Sequence, residues 1–259
     1  MDLSITEALL ASLGGVFAGV MNTVAGGGSL VTLPILLFLG LDLPTANGTN
    51  RIAILLQNAV GSWQFHRKGI GRPKKALLLA LPACLGSLVG AYLAIQIDPQ
   101  LLRLILGLIF LGMLPVLLAD PKRWIEARIQ PITSSDRPSH KLSLLFFGLG
   151  IYGGFLQAGI GVFLLAALVL GAGSDLLEGN ALKVMVVGLY TAVALILFVG
   201  WNQVHWEIGL VLALGNMSGA AIGVHLATTR GTVWLHRALV TIVAGSAIWL
   251  IFDAVRNFG

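Results

Sequence analysis

Charge is what this 259-residue chain has least of: 10% of its residues are Asp, Glu, Lys or Arg, against roughly 25% in soluble domains. So few charges cannot cover a surface that faces water, which excludes a soluble globular enzyme. Cysteine occurs once, as Cys84 within an apolar run, so no intrachain disulfide and no thiolate metal cluster can form. The sequence has no His-Glu-x-x-His pattern and no Walker-type phosphate loop, and it identifies no base to partner Ser29. The chain therefore reads as no enzyme, with no metal and no cofactor. Its opening, Met1-Asp-Leu-Ser-Ile-Thr-Glu7, lacks a basic region and does not read as a cleaved signal peptide.

What is abundant is apolar surface and glycine. Hydrophobic residues make up 57% of the chain, mean hydropathy is +0.92, and 33 residues are glycine. Small residues let helix backbones approach closely in lipid, so the composition describes an all-α, polytopic membrane protein with the lipid bilayer as its first partner. The net charge of +5 does not point to nucleic acid. Five basic residues lie between Arg67 and Lys75 and five more between Lys122 and Lys141. Both clusters occupy short gaps between apolar runs, where basic residues mark the cytoplasmic side.

The apolar runs fall near 5–24, 28–40, 45–66, 75–97 and 100–119, then 141–158, 161–173, 178–200, 205–228 and 232–252. A spanning helix needs about 20 residues. The second run of each group is shorter and follows a glycine-rich break, which predicts half-helices or re-entrant segments. A shift of 133 residues aligns the two groups without a gap: Ala25, Gly26 and Gly28 meet Ala158, Gly159 and Gly161, Asp42 meets Asp175, and Asn47 meets Asn180. Matched Asp, Asn and clustered Gly at one offset point to an internal duplication.

Charge then orients the copies. The loop from His66 to Lys75 is strongly basic, whereas its counterpart, Gly200 to Glu207, has no Lys or Arg. Corresponding loops thus face opposite sides. The expected architecture is two inverted-topology repeats of about five helical segments each, with glycine-broken short helices near the midplane. Residues 1–119 form the first repeat, 120–140 a cytoplasmic basic linker and 141–259 the second repeat, with both termini outside. Inverted repeats recur in secondary transporters, which hold substrate between the repeats at broken helices.

The breaks are the first candidate site: Gly26, Gly27, Gly28 and Ser29 in one copy, Gly159 and Gly161 in the other. A helix starting after a break turns free N–H groups and partial positive charge toward it, which suits an anion. Close glycine packing is the competing reading. The second candidate set opens the third segment of each copy: Asn47, Asn50 and Arg51, paired with Asn180 and Lys183. An intramembrane cation is a functional candidate by default, although near a helix end it can also snorkel to the interface. Asp42 and Asp175 read as helix caps. Glu178 and His225 are the candidate proton-linked groups, His225 being the histidine that lies well inside a run. Gln57, Gln157 and Tyr190 can face a cavity, but no spacing selects them.

These residues resemble the sulfite exporter TauE/SafE family of small bacterial permeases. The resemblance rests on Ala25-Gly-Gly-Gly-Ser29, the run Leu33-Pro34-Ile35-Leu36-Leu37, Gly40, the turn Pro44-Thr-Ala-Asn-Gly-Thr-Asn50 and the basic loop that ends the third segment. The weaker second copy around Ala158–Gly161 and Asn180–Lys183 extends it over nearly the whole chain. The resemblance implies outward movement of sulfur-containing anions, such as sulfite or organosulfonates, across the bacterial inner membrane. The expected function is a secondary anion transporter working by alternating access at the repeat interface. An anion channel, or a transporter of another small organic anion, is the alternative. Ile160 and Val162 replace Gly27 and Ser29 in the second copy, which weights the expected site toward the first repeat. The glycine-lined fourth and fifth segments also suit a homodimer.

Overall fold

Helix ends fall where the sequence places capping and breaking residues. In the computed structural model, which describes residues 4–119, 138–229 and 233–258, Ser4 and Glu7 form a reciprocal capping box at the start of α1 (Ile5–Ala25). Gly26, at φ +79°, ends α1 by donating its N–H to Asn22 and Met21. The short α2 (Ser29–Phe38) follows at once and closes at Gly40, φ +86°. Proline opens α3 (Leu43–Arg67), α4 (Pro73–Gln96) and α5 (Pro99–Leu118), where a missing N–H costs nothing. Asp98 caps α5 through the N–H groups of Gln100 and Leu101.

The second half repeats the pattern. Ser139 caps α6 (His140–Phe155) at Leu142. After the break comes α7 (Ile160–Ala166), which runs on into a wider π-helical turn at Ala167–Gly171. Asp175 caps α8 (Leu176–Gly200) at Leu177 and Glu178, while Asp42, in the matching place before α3, makes no such side-chain bond. The caps expected at both positions thus form at one. Helices α9 (Trp206–Thr229) and α10 (Val233–Phe258) complete the fold. Ten helices and no strand are present among the described residues. The expected basic linker lies outside the described residues from 120 to 137, as does Arg230 in the loop before α10.

Five helices among the described residues are long and apolar enough to cross a membrane: α1, α4, α5, α8 and α9. Their outer faces carry exposed leucines, among them Leu77, Leu81, Leu85 and Leu108, which suits contact with lipid. At ten residues, α2 is only about 15 Å long, half a membrane core, and α7 is shorter still. Helix α3 is too polar to belong to the five and is instead buried, with Asn47, Asn50, Arg51, Gln57 and Asn58 all inside the protein.

Glycine sets the tightest helix pairs. Along α1 and α9, a Cβ at Gly15 or Gly19 would strike the α9 backbone, and one at Gly215 or Gly219 the α1 backbone. Along α4 and α6, Gly86 and Gly90 lie against Phe147 and Ile151, while Gly150 and Gly154 lie against Ala83 and Ser87. The glycines of α4 are therefore used within the chain. Gly112 on α5 and Gly245 on α10 face open space. Helices α3 and α8 pack against each other, α3 also against α9 and α8 against α4, and α5 pairs with α10.

Because backbone cannot move aside cheaply, Gly219→Val should destabilise the fold by about 1–3 kcal/mol. Gly112→Val, with no neighbour in reach, should stay within about 0.5 kcal/mol of the parent. Denaturant unfolding in mixed micelles measures both.

Candidate functional site

The two glycine breaks touch. A Cβ placed on Gly26 would fall on the backbone of Gly161, and one on Gly161 would fall on that of Gly26. Contact this close brings four helix ends together: the C-termini of α1 and α6, and the N-termini of α2 and α7. The last carbonyls of α1 and α6 have no partners further along their own helices, and lipid offers them none.

Side chains from α3 and α8 supply those partners, and they do so crosswise. Arg51, fully buried, donates from Nη1 to the Gly153 carbonyl at 3.2 Å and from Nη2 to the Gly154 carbonyl, both in the last turn of α6. Asn47 Nδ2 donates to the Phe155 carbonyl at 2.7 Å, and Asn47 Oδ1 accepts from Arg51 Nη2 at 3.4 Å. The guanidinium also lies 4.5 Å from the centre of the Phe198 ring. On the other side, Lys183 Nζ donates to the Asn22 and Thr23 carbonyls in the last turn of α1, at 3.1 and 3.2 Å, and to Asn180 Oδ1 at 2.8 Å. Each half's cation thus serves the other half's broken helix. A cation at a helix C-terminus also meets the partial negative charge gathered there.

Asn50 turns elsewhere. Its Oδ1 accepts from Thr32 Oγ1, one turn into α2, at 2.7 Å, and its buried Nδ2 has no hydrogen-bond partner. Ser29 is buried at the start of α2. The structure therefore brings Gly26, Gly161, Asn47, Arg51, Asn180 and Lys183 to the two helix ends, and Asn50 to the first turns of α2. The proton-linked candidates lie apart. Glu178 is 3.4 Å from Arg72 Nε and 3.5 Å from Lys75 Nζ, in the first turn of α8. His225 sits on an exposed flank of α9.

Three further contributors are ones that no spacing in the sequence selects. Gln157 holds a left-handed backbone, φ +59°, in the second break. Its Oε1 lies 3.5 Å from Arg51 Nη1, and its Nε2 donates to Thr191 Oγ1 at 2.7 Å and to Tyr190 Oη at 3.3 Å. The buried Lys75 donates to the Ala172 carbonyl at 3.0 Å and to Ser174 Oγ at 2.9 Å, capping the end of the α7 π turn. In the sequence it is one of five basic residues in a loop and nothing distinguishes it. Asn216 on α9 donates to Gln57 Oε1 at 3.0 Å.

Paired half-helices meeting inside a bundle of apolar helices, with charged groups at their ends, define a multi-pass membrane transporter and not an enzyme. Comparison with known proteins agrees. The family model described as sulfite exporter TauE/SafE matches residues 11–250, and the chain belongs to that family. A probable membrane transporter protein of Haemophilus influenzae is 28% identical over 250 residues, covering 94% of each chain. The probable membrane transporter protein ORF9 of a Sinorhizobium species is 27% identical over 240 residues, covering 91% of this chain and 89% of its own. The probable membrane transporter protein YfcA of Escherichia coli K12 is 26% identical over 239 residues, covering 92% and 87%. No solved structure matches.

Hydrogen bonds from charged donors contribute about 1.5–3 kcal/mol each, so Arg51→Met should lower stability by at least about that much. Asn47→Leu should cost less. Because Asn47 also accepts from Arg51, the double variant should depart from additivity by about 0.5–3 kcal/mol. A double-mutant cycle on urea unfolding in micelles reads this directly, and strict additivity would show that the two side chains act independently.

Proposed function

We propose that this transporter moves small sulfur-containing anions, sulfite or organosulfonates, outward across the bacterial inner membrane by alternating access between two inverted repeats. One observation carries the anion reading. The Arg51 guanidinium is fully buried, and no carboxylate pairs with it among the described residues. A helix C-terminus supplies about half a negative charge, which leaves roughly half of the Arg51 charge unbalanced in a medium that penalises it. An anion arriving beside the breaks completes the balance. The N–H groups opening α2, the free Asn50 Nδ2 and Ser29 would take its oxygens, while Gly159, Gly161, Asn180 and Lys183 complete the far side. The sulfur chemistry is taken from the family description.

The pattern of packing supports the repeats, 1–119 and 141–259. Shifted by one repeat, the α1–α9 pair becomes α6–α4 and the α3–α9 pair becomes α8–α4, while α3–α8 and α5–α10 each become themselves. That is the behaviour of two units related by a twofold axis. In this reading the basic loop Arg67–Lys75 and the linker 120–140 face the cytoplasm, and both termini face outward. A negative cell interior drives an anion outward at about 2.3 kcal/mol per charge per 100 mV, so uniport is sufficient. Glu178, ion-paired, and His225, on an outer flank, remain the groups to test for proton coupling.

Purified protein in liposomes should take up labelled sulfite saturably, with competition from a sulfonate panel. Arg51→Met should reduce uptake about 10- to 100-fold, the equivalent of one charged hydrogen bond. Uptake that survives this substitution would overturn the site, and no uptake of any sulfur anion would overturn the substrate class. Linear, non-saturating flux without counterflow would point to a channel.

A further inference from the structure

A buried cation is reached only when something above it moves, and the layer above Arg51 is thin. The guanidinium lies 4.5 Å from the centre of the Phe198 ring, in the last turn of α8. Phe198 is fully buried, yet Gly200, Trp201 and Asn202 just beyond it are exposed. The chain turns there and seats on the start of α3. The Gln203 carbonyl rests against Gly48, where a Cβ would overlap its oxygen and lie 3.0 Å from Phe198 Cδ1. The His205 N–H donates to Thr49 Oγ1 at 2.8 Å. Phe198 to His205 thus form one cover over the part of α3 that carries Arg51.

The corner holds its own shape. The Gln203 N–H donates to the Phe198 carbonyl at 2.9 Å around Asn202, whose φ is +57°, the left-handed helix end that Gly or Asn favours. Gln203 Oε1 is buried without a partner, a cost that release to water recovers. Under the repeat shift this corner meets Phe65 to Arg72, at the end of α3. There the Ile70 N–H donates to the Phe65 carbonyl at 2.9 Å around Gly69, φ +69°. That second corner covers the start of α8, with Ile70 packed against Phe65, Ala181 and Val184.

The two covers differ in what fastens them. Where one meets Gly48, the other meets Ala181, whose Cβ would lie 3.4 Å from a side chain on Gly71. Arg72 and Lys75 lie 3.4 and 3.5 Å from Glu178. The matching positions of the other cover hold His205, Ile208 and Thr45, so the carboxylate of that ion pair is missing. One corner is tied by charge, the other by the fit of a carbonyl on a glycine.

We propose that the α8–α9 corner, Phe198 to His205, is the outer gate of the transport site, and that Gly48 is the seat that lets it close over Arg51. This inference rests on the alternating-access reading above and deepens it. Opening lifts Phe198 from the guanidinium and gives Arg51 to the outer solution, while the charge-tied α3–α4 corner stays shut.

Accessibility tests the gate without flux. In a Cys84→Ser background, Thr49→Cys places a thiol beneath the corner. Its labelling by an impermeant, sulfonate-bearing methanethiosulfonate is followed in right-side-out and inverted membrane vesicles. Gly48→Ala, which wedges the seat, should speed labelling from outside about 5- to 150-fold, the range that overpacking strain gives a two-state equilibrium. Asn202→Val, strained at positive φ on an exposed residue, should speed it about 5- to 30-fold. Asn202→Gly should match the parent reporter, as should Gly200→Ala, whose Cβ would meet nothing. If Gly48→Ala does not fold, the two Asn202 variants carry the test. Labelling unchanged by both the wedge and the strain would overturn the gate. So would equal acceleration from inside, or in Gly200→Ala, since either marks general loosening. Absence of sulfite uptake by the parent, alongside the expected labelling pattern, would overturn the anion reading and leave the gate standing.

Discussion

A positive side chain laid on the bare end of a broken helix is the interaction on which this structure depends. A membrane helix that stops partway leaves carbonyls with no water to receive them. The chain breaks two helices in this way and answers each break with a cation. Arg51 takes the last turn of α6, and Lys183 takes the last turn of α1. Lys75 does the same for the end of the π turn after α7. The glycine that permits the breaks also lets them meet, since any side chain at Gly26 or Gly161 would force them apart.

The same interaction changes how the intramembrane cations are to be understood. Anion binding and helix capping are competing uses of a buried positive charge. Here the capping use is the one on view, with both cations donating to the carbonyls of a broken helix. Arg51 spends its Nη groups on carbonyls, and no carboxylate pairs with it among the described residues. The second break is the better satisfied of the two: Gln157 ties Arg51, Tyr190 and Thr191 into a continuous chain. Open polar atoms remain on Asn50, which bonds to Thr32 of α2, and on Gln57 and Asn216, which bond to each other between α3 and α9.

Much of the helical layout was legible because its signals are local. Apolar runs, prolines at helix starts and glycines at helix ends place eight of the ten helices to within a few residues; α7 gives way at Ala166 to the π turn inside its run, and the last helix ends at Phe258, six residues beyond its own. The polar candidates on α3 and α8 were legible for a similar reason, since few polar residues interrupt so apolar a chain. What was not legible is whom they touch. Spacing puts Asn47 and Arg51 on one face of one helix, but their partners are backbone carbonyls 102 to 108 residues away, and carbonyls have no sequence signature. Lys75 was hidden among neighbours of the same charge, and Asn216 among ordinary residues of a packed helix. Asp42 and Asp175 show the limit from the other side, since positions that match under the 133-residue shift cap a helix in one case and not in the other.

The crossed caps have a consequence for how the chain is made. Lys183 follows Thr23 by 160 residues, so the carbonyls at the end of α1 enter the membrane long before their cation is synthesised. Arg51 likewise waits for Gly153, 102 residues later. The first half is therefore incomplete when it leaves the ribosome. The first half must persist through biogenesis with its broken helix uncapped and its arginine unmated until the second half arrives. Assembly of the two halves is therefore the step at which the buried charges find their places, and a chain truncated before α6 would carry an arginine with no helix end to hold.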